Sequence, residues 1–76
     1  MLMKVRIPPR VDERVLLDRI AEVFHLAPGP AMALIYRQNG KVVRNRAGVD
    51  PSDYVVEELK SLVGPGNVKA ERKESK

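Results

Sequence analysis

Asp18, Glu22 and His25 recur at i, i+4 and i+7, a spacing that on a helix would gather two carboxylates and the chain's single imidazole on one side, as a metal site would use them. A structural zinc site usually needs four ligands, however, and Arg14 and Arg19 stand within ion-pair reach of the same carboxylates. A solvated helix face therefore explains the pattern, and no metal is expected. Nucleophilic catalysis has little to draw on, because cysteine is absent and neither Ser52 nor Ser61 has a base nearby in the sequence. Asp50 and Asp53 resemble a carboxylate pair, but they precede an apolar helical pattern and are accounted for by capping. Pro28-Gly29-Pro30 and Gly64-Pro65-Gly66 follow helical stretches rather than precede them, and proline removes the N–H donors that a phosphate cradle requires. The expectation is a chain that binds rather than catalyses and that carries no cofactor.

The concentrated chemistry is cationic. From Arg37 to Arg46 there are four bases and no acid, whereas Ala47 to Gly66 holds one base and four acids. Arginine suits bidentate contacts with phosphate and can lie flat on unstacked bases. Neutralising phosphates releases condensed counterions, which makes such binding steeply dependent on salt. The same charge also serves a plainer purpose, since it keeps an exposed strand face from aggregating.

The elements that must position these residues are read from periodicity. Met3, Val5 and Ile7 alternate with Leu2, Lys4 and Arg6 as in a half-buried strand, which Pro8-Pro9 ends. Asp12 then stands as an N-cap before Leu16, Leu17, Ile20, Val23 and Phe24 at helical spacing, and this first helix must stop near Leu26. Asn39-Gly40 predicts a two-residue type I′ hairpin turn, placing Gln38 opposite Lys41, Tyr36 opposite Val43 and Ile35 opposite Arg44. On that register one face of the hairpin holds Met32, Leu34, Tyr36 and Val43. The other holds Ala33, Ile35, Arg37, Val42, Arg44 and Arg46. Asp50 caps a second helix with Pro51 at its first position, and Val55, Val56, Leu59, Leu62 and Val63 form its apolar stripe. The segment from Asn67 to Lys73 reads as a short final strand with Val68 and Ala70 inward, or as a charged tail.

Strand, helix, strand, strand, helix and a final optional strand imply an α+β two-layer sandwich, βαββα(β). The expected arrangement is ferredoxin-like, with two helices on one face of a three- or four-stranded sheet and the first strand beside the third. The candidate surface is the opposite, open face, where Lys4, Arg6, Arg37, Lys41, Arg44 and Arg46 would meet a nucleic acid. RNA or a ribonucleoprotein is favoured over DNA, because no helix carries a base-reading array and the second helix is acidic at Asp53, Glu57 and Glu58. In proposed strand order the chain resembles the RNA recognition motif. That family stacks bases on aromatics of strands one and three, and here Met3 to Ile7 and Lys41 to Arg44 have no ring, so membership is not expected. Tyr36 is assigned to the core side, with Phe24 and Tyr54 as helix-borne packing residues. The rival expectation is a protein-interaction or homodimerisation module using Ile35, Val42 and the strand edges, as in a small subunit of a larger complex.

Composition fits one small domain. The 76 residues are 43% hydrophobic and 32% charged with a formal net charge of +4, enough for one core over residues 1–70 with 71–76 as a charged tail. No apolar run approaches the roughly 20 residues that cross a bilayer, so no membrane is expected. The lack of cysteine fits a reducing compartment, and the cytoplasm is the expected location. Abundant Arg, Lys, Glu and Val beside no Thr or Trp resembles the bias of thermostable proteins.

Overall fold

A computed structural model describes residues 2–71 and contains β1 (Leu2–Arg6), α1 (Glu13–Leu26), β2 (Pro28–Tyr36), β3 (Val42–Arg44), α2 (Asp53–Val63), a 3₁₀ turn (Pro65–Asn67) and β4 (Val68–Glu71). The final segment is a strand through Glu71, and the rest of the expected charged tail lies outside the described residues. The Asp12 carboxylate caps α1 as expected, accepting from the backbone N–H of Arg14 at 3.2 Å and of Val15 at 3.4 Å. At α2 the cap differs. The helix begins at Asp53 behind Ser52, and Asp50 instead accepts from the Ser52 N–H at 3.0 Å, forming a turn that aims the chain into the helix.

The protein is an α+β sandwich with both helices against one face of a mixed four-stranded sheet. Strand order is β3-β2-β1-β4, which differs from the ferredoxin-like expectation that the first strand lies beside the third. Instead β1 pairs directly with β2 in parallel, Met3 beside Ala33 and Val5 beside Ile35, while β4 runs antiparallel on the other side of β1. The reason lies in β3, which is three residues long and exposed throughout. A central strand must be apolar on its covered side and long enough to pair twice, so a segment this short and cationic is accommodated at an edge.

The core gathers Met3, Val5 and Ile7 of the first strand segment, Leu16, Ile20 and Phe24 of α1, Ala31, Ala33 and Ile35 of β2, and Val55, Leu59 and Val63 of α2, with Val49 and Val68 closing it. Among the described residues no polar or charged side chain is buried with them. Tyr54 is 76% exposed, which corrects its expected packing role, because Val55 and Leu59 occupy the inward positions of that helix. Pro28-Gly29-Pro30, read above only as a stop, also opens β2. Prolines are tolerated at a strand start, and here Pro28 bridges Val49 in the returning loop.

Gly29 is a close approach in that return, with the Gly48 backbone pressed against its carbonyl. A Cβ on Gly29 would come within 2.6 Å of the Asp50 Cα, so Gly29→Ala should destabilise the fold by about 1–3 kcal/mol, the range for overpacking. Gly66 has open space within 4 Å and no positive φ. Gly66→Ala should leave stability unchanged or raise it by up to about 1 kcal/mol. Urea denaturation of both variants checks the contrast, and equal midpoints would remove the close-approach account.

Candidate nucleic-acid interface

The hairpin that was expected to aim the arginines has a different register. Arg37 donates its N–H to Lys41 O at 2.8 Å, and the Gly40 N–H reaches Arg37 O at 3.0 Å. The loop is therefore Gln38-Asn39-Gly40, three residues instead of two. Of the two residues expected at positive φ, only Gly40 adopts it, at 87°; Asn39 stays at negative φ and its carboxamide oxygen accepts from the Lys41 N–H at 2.9 Å. Tyr36 consequently pairs with Val42, Ile35 with Val43 and Leu34 with Arg44.

Because side chains alternate strictly along a strand, this one-residue change puts Val42 in place of Val43 on the face of Tyr36. The faces of β2 are reversed as well, set by its pairing with the buried Met3 and Val5 of β1. Ala31, Ala33 and Ile35 are buried under the helices, which corrects the expected outward position of Ala33 and Ile35. Met32, Leu34 and Tyr36 are on the open side, which corrects their expected core position. Val42 joins them as the partner of Tyr36 and is 49% exposed. Lys4 and Arg6 lie on this open face because Met3 and Val5 are completely buried beneath it.

Arg44 also reaches the open face, through its pairing with Leu34. Arg37 does not. Its guanidinium donates to the Glu13 carboxylate of α1 at 3.0 Å, and the other Glu13 oxygen accepts the Gln38 N–H at 2.9 Å. The Gln38 side chain adds bonds to the carbonyls of Pro8 and Val11. Arg37 is thus part of a clasp that holds the hairpin loop to the start of α1, and instead of standing on the open face it lines the cleft at the end of that face. Lys41 is exposed at the hairpin tip opposite Arg37, and Arg46 is exposed in the bend after β3.

Sequence reasoning left the segment of Lys69 open as strand or tail and did not count Lys69 among the site residues. It pairs with Lys4, so one row across the open face reads Lys69, Lys4, Leu34, Arg44. The next row holds Arg6, Tyr36 and Val42. Glu71 is the acid on this face and is bound to Lys4 at 2.9 Å, which lowers the Glu71 pKa through a hydrogen bond and raises that of Lys4. Among the described residues Arg6, Arg44 and Lys69 make no ion pair. A cleft of about 620 Å³ opens at the end of β1, between the hairpin tip and the 3₁₀ turn. Arg6, Tyr36, Gln38, Asn67 and Lys69 contribute to its lining, and no acidic residue does.

Other chemistry is sparse. Among the described residues no three of His, Asp and Glu approach closely enough to hold a metal ion, and no helix is long and apolar enough to cross a membrane. The helix-face ion pairs expected of Arg14 and Arg19 do not form among these residues either. The three pairs observed are Lys4–Glu71, Arg37–Glu13 and Lys60–Glu57.

The clasp sets a pH dependence. The hydrogen bond from Arg37 holds the Glu13 carboxyl below its ordinary 4.5, helped by the Gln38 N–H. A carboxylate whose native pKa is depressed stabilises the fold above its unfolded pKa and loses that contribution as pH falls through the native one. Glu13→Gln should therefore be less stable than the parent protein at neutral pH, and the gap should close as pH drops from 4.5 through the lowered native value. Thermal melts across that range check it, and a gap independent of pH would show that the carboxylate charge is not what matters.

No protein-family model, curated protein or solved structure matches this chain, so its function has to be argued from the open sheet itself.

Proposed function

We propose that this protein is a small, basic, noncatalytic module that binds nucleic acid, RNA in preference to DNA, through the open face of its sheet. The observation that carries the reading is the sign of that face. Among the described residues, Lys4, Arg6, Arg44 and Lys69 stand on it against one acid, Glu71, which is already engaged by Lys4. A cationic face with apolar and aromatic side chains between the charges suits a polyanion whose phosphates meet the cations while its less polar parts lie on Leu34, Tyr36 and Val42. A four-stranded sheet is too broad to enter a duplex groove. The exposed acids of α2, Glu57 and Glu58, disfavour insertion of that helix, which supports RNA with unpaired regions over a specific DNA site. A cytoplasmic setting belongs to the same proposal and rests on the absence of cysteine.

One further observation supports a second reading. Met32 is 41% exposed on the open face, on the strand that borders edge strand β3, which suits a homodimer formed through the sheet. Ile35, expected to anchor such an interface, is inside the core and contributes nothing to it.

Charge reversal separates the readings. Arg6→Glu with Arg44→Glu should lower affinity for a generic single-stranded RNA at least about tenfold at low salt and flatten the salt dependence by about one logarithmic unit per unit. Arg14→Glu with Arg19→Glu, an equal change of charge on the exposed side of α1, should cost only about twofold to threefold. Fluorescence anisotropy over a salt series checks this, and equal losses from the two pairs would remove the sheet-face model. A chain that sediments as a dimer at high salt and binds no RNA at low salt would favour the homodimer.

A further inference from the structure

The open face contains one aromatic ring, and its surroundings are not uniform. Tyr36 is beside Arg6 on β1 and opposite Val42 on β3, and it borders the cleft at the end of the parallel strands. Lys4 and Lys69, one row away, line the same cleft together with Arg37, Gly40, Asn67 and Val68. The ring is therefore half-buried on its own strand, open on the cleft side, and flanked by a guanidinium that makes no ion pair among the described residues.

Resting on the nucleic-acid reading above, we infer that Tyr36 is a stacking platform for one unpaired nucleobase. The cleft accepts that base, while Arg6 and Lys69 hold the phosphates on either side of it. The inference commits the protein to single strands. A base in a duplex already has neighbours on both faces and cannot present one to a ring in the floor of a sheet without being unstacked first. An unpaired base is free to lie on the ring, and because every base has a π-face such a platform needs no particular sequence. The charges supply the complementary half. Cations at Arg6 and Lys69 match the charged backbone that runs past the stacked base, and the lining has no acid to repel it.

The platform has a direct optical readout, because the chain has two tyrosines and no tryptophan. Tyr54, on α2 and 76% exposed, can be removed as Tyr54→Phe, leaving Tyr36 as the source of tyrosine emission. Titrating that variant with an oligouridylate of about ten nucleotides should quench the emission as the complex forms, whereas the same length of RNA duplex should bind more weakly and quench less. In the parent background Tyr36→Leu should weaken single-strand binding about tenfold to a hundredfold, and Tyr36→Phe should stay within about threefold. Thermal melts of the Leu variant establish that it is folded. If the oligouridylate binds the parent but Tyr36→Leu binds it equally well, or if the duplex binds as tightly as the single strand, the stacking site is overturned while the cationic face stands. If neither RNA binds at low salt, the nucleic-acid reading falls, and the platform with it.

Discussion

Two neighbouring parallel strands cannot be joined by a tight turn, because the chain must leave the end of one and travel back along the sheet to enter the other. Here β1 and β2 form that pair at the centre of the sheet, and α1 is the return path that covers one face of both. The second helix, which carries the chain across to β4, packs into the same core, so the other face has no cover from any described element. The register that seats Met3 beside Ala33 and Val5 beside Ile35 is also the one that sets Lys4 beside Leu34 and Arg6 beside Tyr36. Core and candidate surface are thus two readings of one alternation. A slip of one residue would bury the cations and expose the core together, which ties the surface to the stability of the fold.

That coupling explains both what was legible in the sequence and where the reading went astray. The alternation in β1 and the apolar spacing of both helices are strong signals, since many residues agree on each, and Met3, Val5, Ile20, Phe24 and Leu59 are buried where periodicity puts them. The hairpin rested on two residues. Asn-Gly also fits a three-residue loop, in which glycine alone takes the positive φ and the asparagine side chain braces the backbone of the next residue but one, as Asn39 does for Lys41. The local preference is similar in the two cases, and the difference is settled at a distance. Ala33 and Ile35 must face the helices because Met3 and Val5 do, and Glu13 secures the loop by taking both the Arg37 guanidinium and the Gln38 N–H. Neither constraint can be seen within the hairpin sequence. Strand order escaped for a related reason, because which strand lies beside β1 depends on which segment can be covered on one side along its length.

The charges divide accordingly into those used by the fold and those left over. Glu13 and Arg37 join elements far apart in sequence, and Lys4 and Glu71 join β1 to β4. Isolated pairs at the surface contribute little to stability, about 0–1 kcal/mol, and these two share no residue, so they are not what holds the described fold together. Stability must come chiefly from the apolar layer, in which Leu, Ile and Phe side chains contribute about 1.5–3 kcal/mol each when fully buried. Most of the cations are dispensable to that layer.

Protection against aggregation accounts for some of the remainder. A sheet is vulnerable first at its edges, where unpaired N–H and C=O groups invite another strand, and Arg44 on β3 and Lys69 on β4 stand at those edges. Lys4 and Arg6 do not, because β1 is an interior strand with both of its neighbours in place. Charge in the middle of an open face would still discourage two faces from stacking, but that requirement is indifferent to sign and is met equally well by a mixture of acids and bases. The middle of this face has Arg6, which makes no ion pair among the described residues, with Tyr36 beside it and Lys4, offset by Glu71, one row away. Solubility calls for charge of either sign, whereas an excess of one sign at the centre of a sheet, next to an accessible ring, is what an anionic and partly aromatic ligand calls for.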